Sequence, residues 1–240
     1  GAPRALLVVY RSIVIAADTA PVLLMAKALW ERGFAVDCVA VSSLKDPAAA
    51  ENLAVFLDHS PPDVILNMTA FSGRQSDVGG VLDRADAPVF QVILSTTWRE
   101  PWQASERGLT TTDLAMNVVL PEFDGRIITR AISFKGEAER RDLVEFTRVI
   151  HSPEESRIGF VADLALSWAG LRRKPNKNKR VACVLSDYPA KGGRQGYAVG
   201  LDTPESVIRI SEALKLQGYS VRVPQDSAAL MKDLISGSLT

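Results

Sequence analysis

The feature that most limits the fold of this chain is a repeated alternation: short, unbroken apolar runs, each followed by a segment with helical spacing. Ala5 to Tyr10, Asp63 to Met68 and Pro88 to Leu94 have the length of strands and little of the polar alternation that a half-exposed strand shows. A strand that is apolar on both faces has to be covered on both faces, which is the condition of a parallel sheet with helices above and below. The intervening segments supply those helices. Asp18 or Thr19 can cap a helix with Pro21 in its first turn; Val22, Met25, Ala26 and Leu29 then share one face, and Gly33 stops it. Ala35 to Val41 reads as a further strand and Pro47 to Leu57 as the helix after it. The alternation predicts right-handed βαβ crossovers and an α/β fold, with a ligand site at the carboxyl ends of the strands.

The expected fold class is therefore a doubly wound, mostly parallel sheet of the Rossmann or flavodoxin-like kind. After residue 95 the rhythm changes. Ser95 to Glu106 is polar and aromatic, and Thr110 with Asp113 forms a capping box leading into Leu114 to Leu120. Ser152-Pro153-Glu154-Glu155 reads as a second capping box with Pro153 at the first helical position, followed by a stripe of Ile158, Ala162, Ala165 and Ala169. The run 172–180 then carries six cationic residues in nine and no acid. A domain boundary is placed there: an α/β domain over 1–175, with a flavodoxin-like half and an inserted helical and loop segment, and the start of a second α/β unit over 180–240. That second unit is expected to hold strands at 181–185 and 219–223, a helix from Thr203 to Gln217 stopped by Gly218, and a helix start at 228–235. Two strands are too few for a sheet, so the chain is expected to be a piece of a longer protein.

Charge and composition narrow the classes further. Lys and Arg number 28 and Asp and Glu 28 in 240 residues, so no net field draws the chain to nucleic acid or to an anionic membrane. The basic run 172–180 has no interleaved aromatic residue and reads as a solvated linker, with partner docking left open. The two cysteines, Cys38 and Cys183, each lie in an apolar run and are expected to be buried thiols in a reducing compartment. No apolar run is long enough for a membrane span, and the expected location is cytoplasmic.

Three constellations carry candidate chemistry. The loop Asp187 to Gly196 follows a predicted strand and offers glycines with Lys191 and Arg194, but it matches neither GxGxxG nor GxxxxGK[ST]; a plain connection and an anion site stand side by side. Trp98-Arg99-Glu100-Pro101-Trp102 lies beyond the fourth strand, where two indoles flank an ion pair and either pack a turn or stack on a planar ligand. In Leu120 to Gly125, Glu122 sits between an apolar run and an Asp-Gly turn. Desolvation there would suit it to proton exchange, while plain exposure would leave it an ordinary loop acid. His59 and His151 read as loop residues, and no metal-ligand spacing is present.

Ser42 to Asp46, Pro62 to Phe71, Asp86 to Val89, Asp113 to Val118, Leu120 to Arg126 and Gly200 to Pro204 together resemble the large subunit of cobaltochelatase, over nearly the whole chain. The same family includes the porphyrin-binding subunit of magnesium chelatase. The cobalt branch is the more similar, notably at Asp187-Tyr188-Pro189 and Gly200 to Pro204. The resemblance implies ATP-dependent insertion of Co(II), the substrate metal, into hydrogenobyrinic acid a,c-diamide in aerobic cobalamin biosynthesis. It also implies that two smaller partner subunits, one an AAA+ ATPase, hydrolyse the ATP, in keeping with the missing phosphate-loop motif here. Under it, Glu122 is the base or metal escort and Glu100 a second carboxylate. Trp98 and Trp102 shape a slot, Arg99 faces the acidic arms of the macrocycle, and Asn67 and Thr69 are substrate contacts. Lys191 and Arg194 either touch the ring periphery or belong to an interdomain loop. The alternatives are a magnesium chelatase-type subunit, a tetrapyrrole- or partner-binding module without catalysis, and a scaffold docking the ATPase through 172–180. An isolated piece of this size is expected to be inactive alone.

Overall fold

A computed structural model describes residues 1–74, 79–138, 147–185, 196, 198 and 200–237. They fall into two compact units, Gly1–Arg172 and Arg173–Thr240. The first is built on six strands: β1 (Arg4–Tyr10), β2 (Ala35–Val41), β3 (Val64–Asn67), β4 (Val89–Trp98), β5 (Ile127–Glu137) and β6 (Val149–Pro153). Their order is β2-β1-β3-β4-β5-β6, with β6 antiparallel to β5 and every other pair parallel. This is the doubly wound, flavodoxin-like arrangement, and its winding reverses between β1 and β3.

The helices of the first unit are α1 (Arg11–Ile15), α2 (Ala20–Glu31), α3 (Pro47–His59), α4 (Arg99–Gln103), α5 (Thr111–Leu114), α6 (Leu120–Phe123) and α7 (Glu155–Arg173). β1 feeds both layers, as its unbroken apolar run requires. Leu7 and Val9 join a core with Val22, Met25 and Leu29 of α2 and Ile158, Val161 and Ala162 of α7. Leu6 and Val8 join another with Leu53 and Leu57 of α3 and Leu82 from a 3-10 turn. Alanines at 162, 165 and 169 give α7 a flat, fully buried face, which lets it lie close on the sheet. Asp46 caps α3 by accepting from Ala48 N–H at 3.0 Å, ahead of Pro47.

Several local expectations are corrected by tertiary pairing. Thr19 is the N-cap residue of α2 but makes no side-chain cap; Asp18 instead accepts the His151 backbone N–H at 2.9 Å. Pro153 does not open a helix but closes β6, because the β5–β6 ladder takes residues 149–153, and the Glu154 carboxylate goes to Arg99. At α5 only half the capping box forms: Thr110 Oγ1 accepts from Asp113 N–H at 3.2 Å. The fully buried Asp113 carboxylate turns to the end of β4. There it accepts from Ser95 Oγ at 2.6 Å, Thr96 N–H at 3.0 Å, Thr96 Oγ1 at 2.9 Å and Thr97 Oγ1 at 3.2 Å. β5 and β6 were not expected, since Ile127 to Phe134 mixes polar with apolar residues.

In the second unit, α8 (Thr203–Leu216) and α9 (Ser227–Ser236) are capped by Asp202 and Asp226. The strands expected at 181–185 and 219–223 do not form. Apolar content alone does not make a strand without a ladder partner, and Val184 is 90% exposed. The thiols expected to be buried are both exposed: Cys38 lies on the edge strand β2, and Cys183 in the unladdered 181–185 segment. Among the described residues no helix is long and apolar enough to cross a membrane.

Removing the Asp113 carboxylate leaves several inward-facing donors without an acceptor. Asp113→Ala is expected to lower stability by about 3 kcal/mol, measured by urea denaturation; a loss under about 1 kcal/mol would contradict the anchoring role.

Candidate functional site

β1 and β3 part company at the point where the winding reverses, and the chain leaving each turns away from the other. The result is a crevice of about 320 Å³ over the carboxyl ends of the strands. Its polar lining includes Tyr10, Ser12, Asp18, Thr96, Asn117, Lys135 and His151. In doubly wound sheets this is where ligands bind, because diverging loops leave a gap there that no crossover fills.

Each group has a structural reason to be there. Tyr10 ends β1 and donates its hydroxyl to the Ala70 carbonyl at 2.9 Å; burial pushes its pKa up. Thr96 is held by Asp113. Asn117 belongs to a π-helical turn, Ala115–Val119, whose wider winding joins α5 to α6 and carries Met116 and Asn117 along the crevice. Lys135 and His151 are direct partners across β5 and β6.

His151 is 8% exposed, and its Nδ1 lies 3.2 Å from Ser133 Oγ. Burial, and then the Lys135 charge, lower its pKa to about 4 against the opposing pull of Asp18 and Asp113. The imidazole is therefore neutral near pH 7, and its Nε2 makes no hydrogen bond among the described residues. It can offer a lone pair or a single N–H to a ligand, according to tautomer, but the neighbouring ammonium makes it a weak proton store.

A connected polar network ties the end of β3 to β4 and to the turn before β5. Asn67 donates to Thr69 O at 3.0 Å and to Gln91 Oε1 at 2.9 Å, and Thr69 Oγ1 donates to Asn67 Oδ1 at 2.8 Å. Arg126 donates to the same Gln91 oxygen at 2.9 Å and to Asp124 at 2.7 Å, and Asp124 also accepts from Ser72 and from Gly73 N–H. Burial pulls the Arg126 pKa down and the Asp124 charge opposes it. Asn67 and Thr69, expected as substrate contacts, are buried inside this network and shape the end of β3.

The other expected site residues scatter. Glu122 is exposed on α6, next to the start of β5. Ile127 pairs with Phe90 while Lys135 pairs with Trp98, so Glu122 and the indoles lie toward opposite ends of β4, which are roughly 25 Å apart. They do not share one hollow. Trp98 is 38% exposed at the strand end, and Glu100 is exposed in the first turn of α4. Arg99 is bound to Glu154 and to Gln103 at 2.7 Å. The Trp102 ring packs 4.4 Å from Phe134 between centroids, with the Arg157 guanidinium 5.0 Å from its own. Lys191 and Arg194 lie outside the described residues. The residues that sequence reasoning missed include Tyr10, Thr96, Asn117, Lys135 and His151. Tyr10 had a usable signal, as the last residue of a predicted strand; His151 had none, because its strand was not foreseen.

The family model described as CobN/Magnesium Chelatase matches residues 1–239. The chain is 41% identical over 232 residues to an aerobic cobaltochelatase subunit CobN of Sinorhizobium sp, covering 95% of this chain and 18% of that protein. It is 41% identical over 239 residues to the protein of the same name from Pseudomonas aeruginosa, covering 99% and 19%. Against a magnesium-chelatase subunit of Cereibacter sphaeroides identity is 28% over 260 residues, covering 97% and 21%. A solved structure, the catalytic subunit of cobaltochelatase from Mycobacterium tuberculosis, is similar with a TM-score of 0.80 and 30% identity, over 98% of this chain and 20% of that one. The chain thus spans about a fifth of the length of these relatives.

Folding lowers the proton affinity of His151 from 6.5 to about 4, so between those values the unfolded chain binds the extra proton and stability rises with pH. The contribution is complete above about pH 6.5 and is lost as pH falls toward 4, in total on the order of 3 kcal/mol. In urea midpoints measured from pH 7 to 4.5, His151→Gln is expected to flatten this limb; an unchanged slope would refute the assignment.

Proposed function

This chain belongs to the CobN/magnesium chelatase family, and from that premise we propose that it is a segment of the large, macrocycle-handling subunit of an aerobic cobaltochelatase. The observation that carries the reading is the difference in identity over almost the whole chain, 41% to the cobalt subunits against 28% to the magnesium one. In this reading the substrates are Co(II) and hydrogenobyrinic acid a,c-diamide, the pathway is aerobic cobalamin synthesis in the cytoplasm, and two smaller subunits, one of them an AAA+ ATPase, hydrolyse the ATP.

Insertion requires that the metal lose water and the ring lose its two inner protons. A crevice of about 320 Å³ takes one edge or arm of a decorated macrocycle, with the rest of the subunit enclosing the remainder. Lys135 faces carboxylate there, Thr96 and Asn117 offer hydrogen bonds to carboxamide, and neutral His151 presents Nε2 to the ring or to the arriving ion. Glu100, exposed beside Trp98 at the same edge of the sheet, receives the cation in this reading, and Asp18 is the carboxylate within the crevice itself. Glu122, toward the other end of β4, takes no part in this slot.

The test uses the full-length subunit with its partners and ATP, and follows insertion by absorbance with each metal and each macrocycle. Cobalt insertion into the corrin precursor is expected, and turnover confined to magnesium and protoporphyrin would overturn the reading. In the same assay His151→Ala is expected to lower kcat at least about tenfold, equivalent to about 1.4 kcal/mol of barrier; undiminished turnover would remove His151 from the slot.

A further inference from the structure

A second feature lies where β6 ends and α7 begins, outside the crevice. β6 stops at Pro153, so the outer edge of β5 before Ser133 has no strand beside it, and Arg157 of α7 fills the gap by donating Nε to the Ala131 carbonyl. Its guanidinium also lies over Trp102. One residue back on β5, the exposed Arg130 stacks its guanidinium carbon 3.5 Å from the centroid of Phe160, one helical turn beyond Arg157. The two cations are close enough that Arg130, after burial, is the larger remaining influence holding the Arg157 pKa down. Among the described residues neither forms an ion pair with an acid. The nearby carboxylate, Glu154, is bound by Arg99. Arg99 and Arg157 thus both act on the one acid, Arg130 stands beside Arg157, and the Arg130 and Arg157 guanidinium groups rest on aromatic rings that hold them in place.

We propose that Arg130 and Arg157 form a carboxylate-binding patch that takes acidic side arms of the macrocycle, the role sequence reasoning assigned to Arg99. This identity of the ligand rests on the cobaltochelatase reading; the anion chemistry of the patch does not. Like charges held together are unfavourable until an anion bridges them, and a planar guanidinium meets a carboxylate with two parallel hydrogen bonds. Trp102 and Phe160 then serve as platforms for the two cations, and Trp102 is not a stacking surface for the ring.

The experiment measures equilibrium binding to the full-length subunit of three probes: the carboxylate-bearing macrocycle, its fully esterified form, and benzene-1,3,5-tricarboxylate at low salt. Arg130→Gln and Arg157→Gln are each expected to weaken the macrocycle and the tricarboxylate roughly tenfold and to leave the ester unchanged. Arg157→Lys should recover part of the loss, since charge survives without the planar fork. Unchanged affinity for the tricarboxylate in both glutamine variants, or an equal loss for acid and ester, would overturn the patch. If the wild-type protein retains the tricarboxylate through these arginines but binds no corrin macrocycle, the patch stands and the cobaltochelatase reading falls.

Discussion

A parallel sheet covered on both faces leaves its polar chemistry little room except at its edges, and this constraint organises the first unit. β1 and β3 are buried throughout their central residues by α2 and α7 on one side and by α3 on the other. Burying an unpaired polar group there is costly, so the side chains able to meet a ligand gather where the strands end. The winding reversal between β1 and β3 then selects which part of that edge is open.

Two buried polar devices give the edge its shape. Asp113 gathers the hydroxyls and an amide of residues 95–97, which holds the end of β4 against the crossover through α5 and α6. Arg126, Gln91, Asn67 and Thr69 do the same one strand over, passing from the Asp124 carboxylate to the end of β3. Because their buried donors and acceptors find partners inside the protein, these networks add a preferred geometry rather than a penalty. Thr96 and Asn117, which line the crevice, are tied to Asp113 by the first of these networks and have little freedom to rearrange.

The electrostatics of the edge differ on its two sides. In the crevice, burial and then the Lys135 charge suppress protonation of His151 and leave a neutral imidazole beside an ammonium. Beside α7, arginines accumulate around a single engaged glutamate and lean on aromatic rings. Both arrangements put cationic groups at the edge of the sheet, which favours a partner that carries negative charge.

Much of the fold was legible in the sequence, because continuous apolar runs admit few solutions. β1 to β4, the faces of α2 and α7, the helices that begin at Pro47 and Thr203 and the stops at Gly33 and Gly218 follow from local pattern and turn chemistry. The resemblance to the chelatase large subunits was legible too, carried by short motifs spread along the chain. The site was not. Asp113 looks like a capping residue but binds across the fold, Arg99 looks paired with its neighbour Glu100 but is bound to Glu154, and His151 looks like a loop residue but stands in a ladder opposite Lys135. Local sequence determines which segments must be buried and in which periodicity, since that depends on each residue's own transfer from water. Which charged and polar groups come to face one another depends on register, crossover direction and the competition among partners distant in the chain, and only the folded structure decides it.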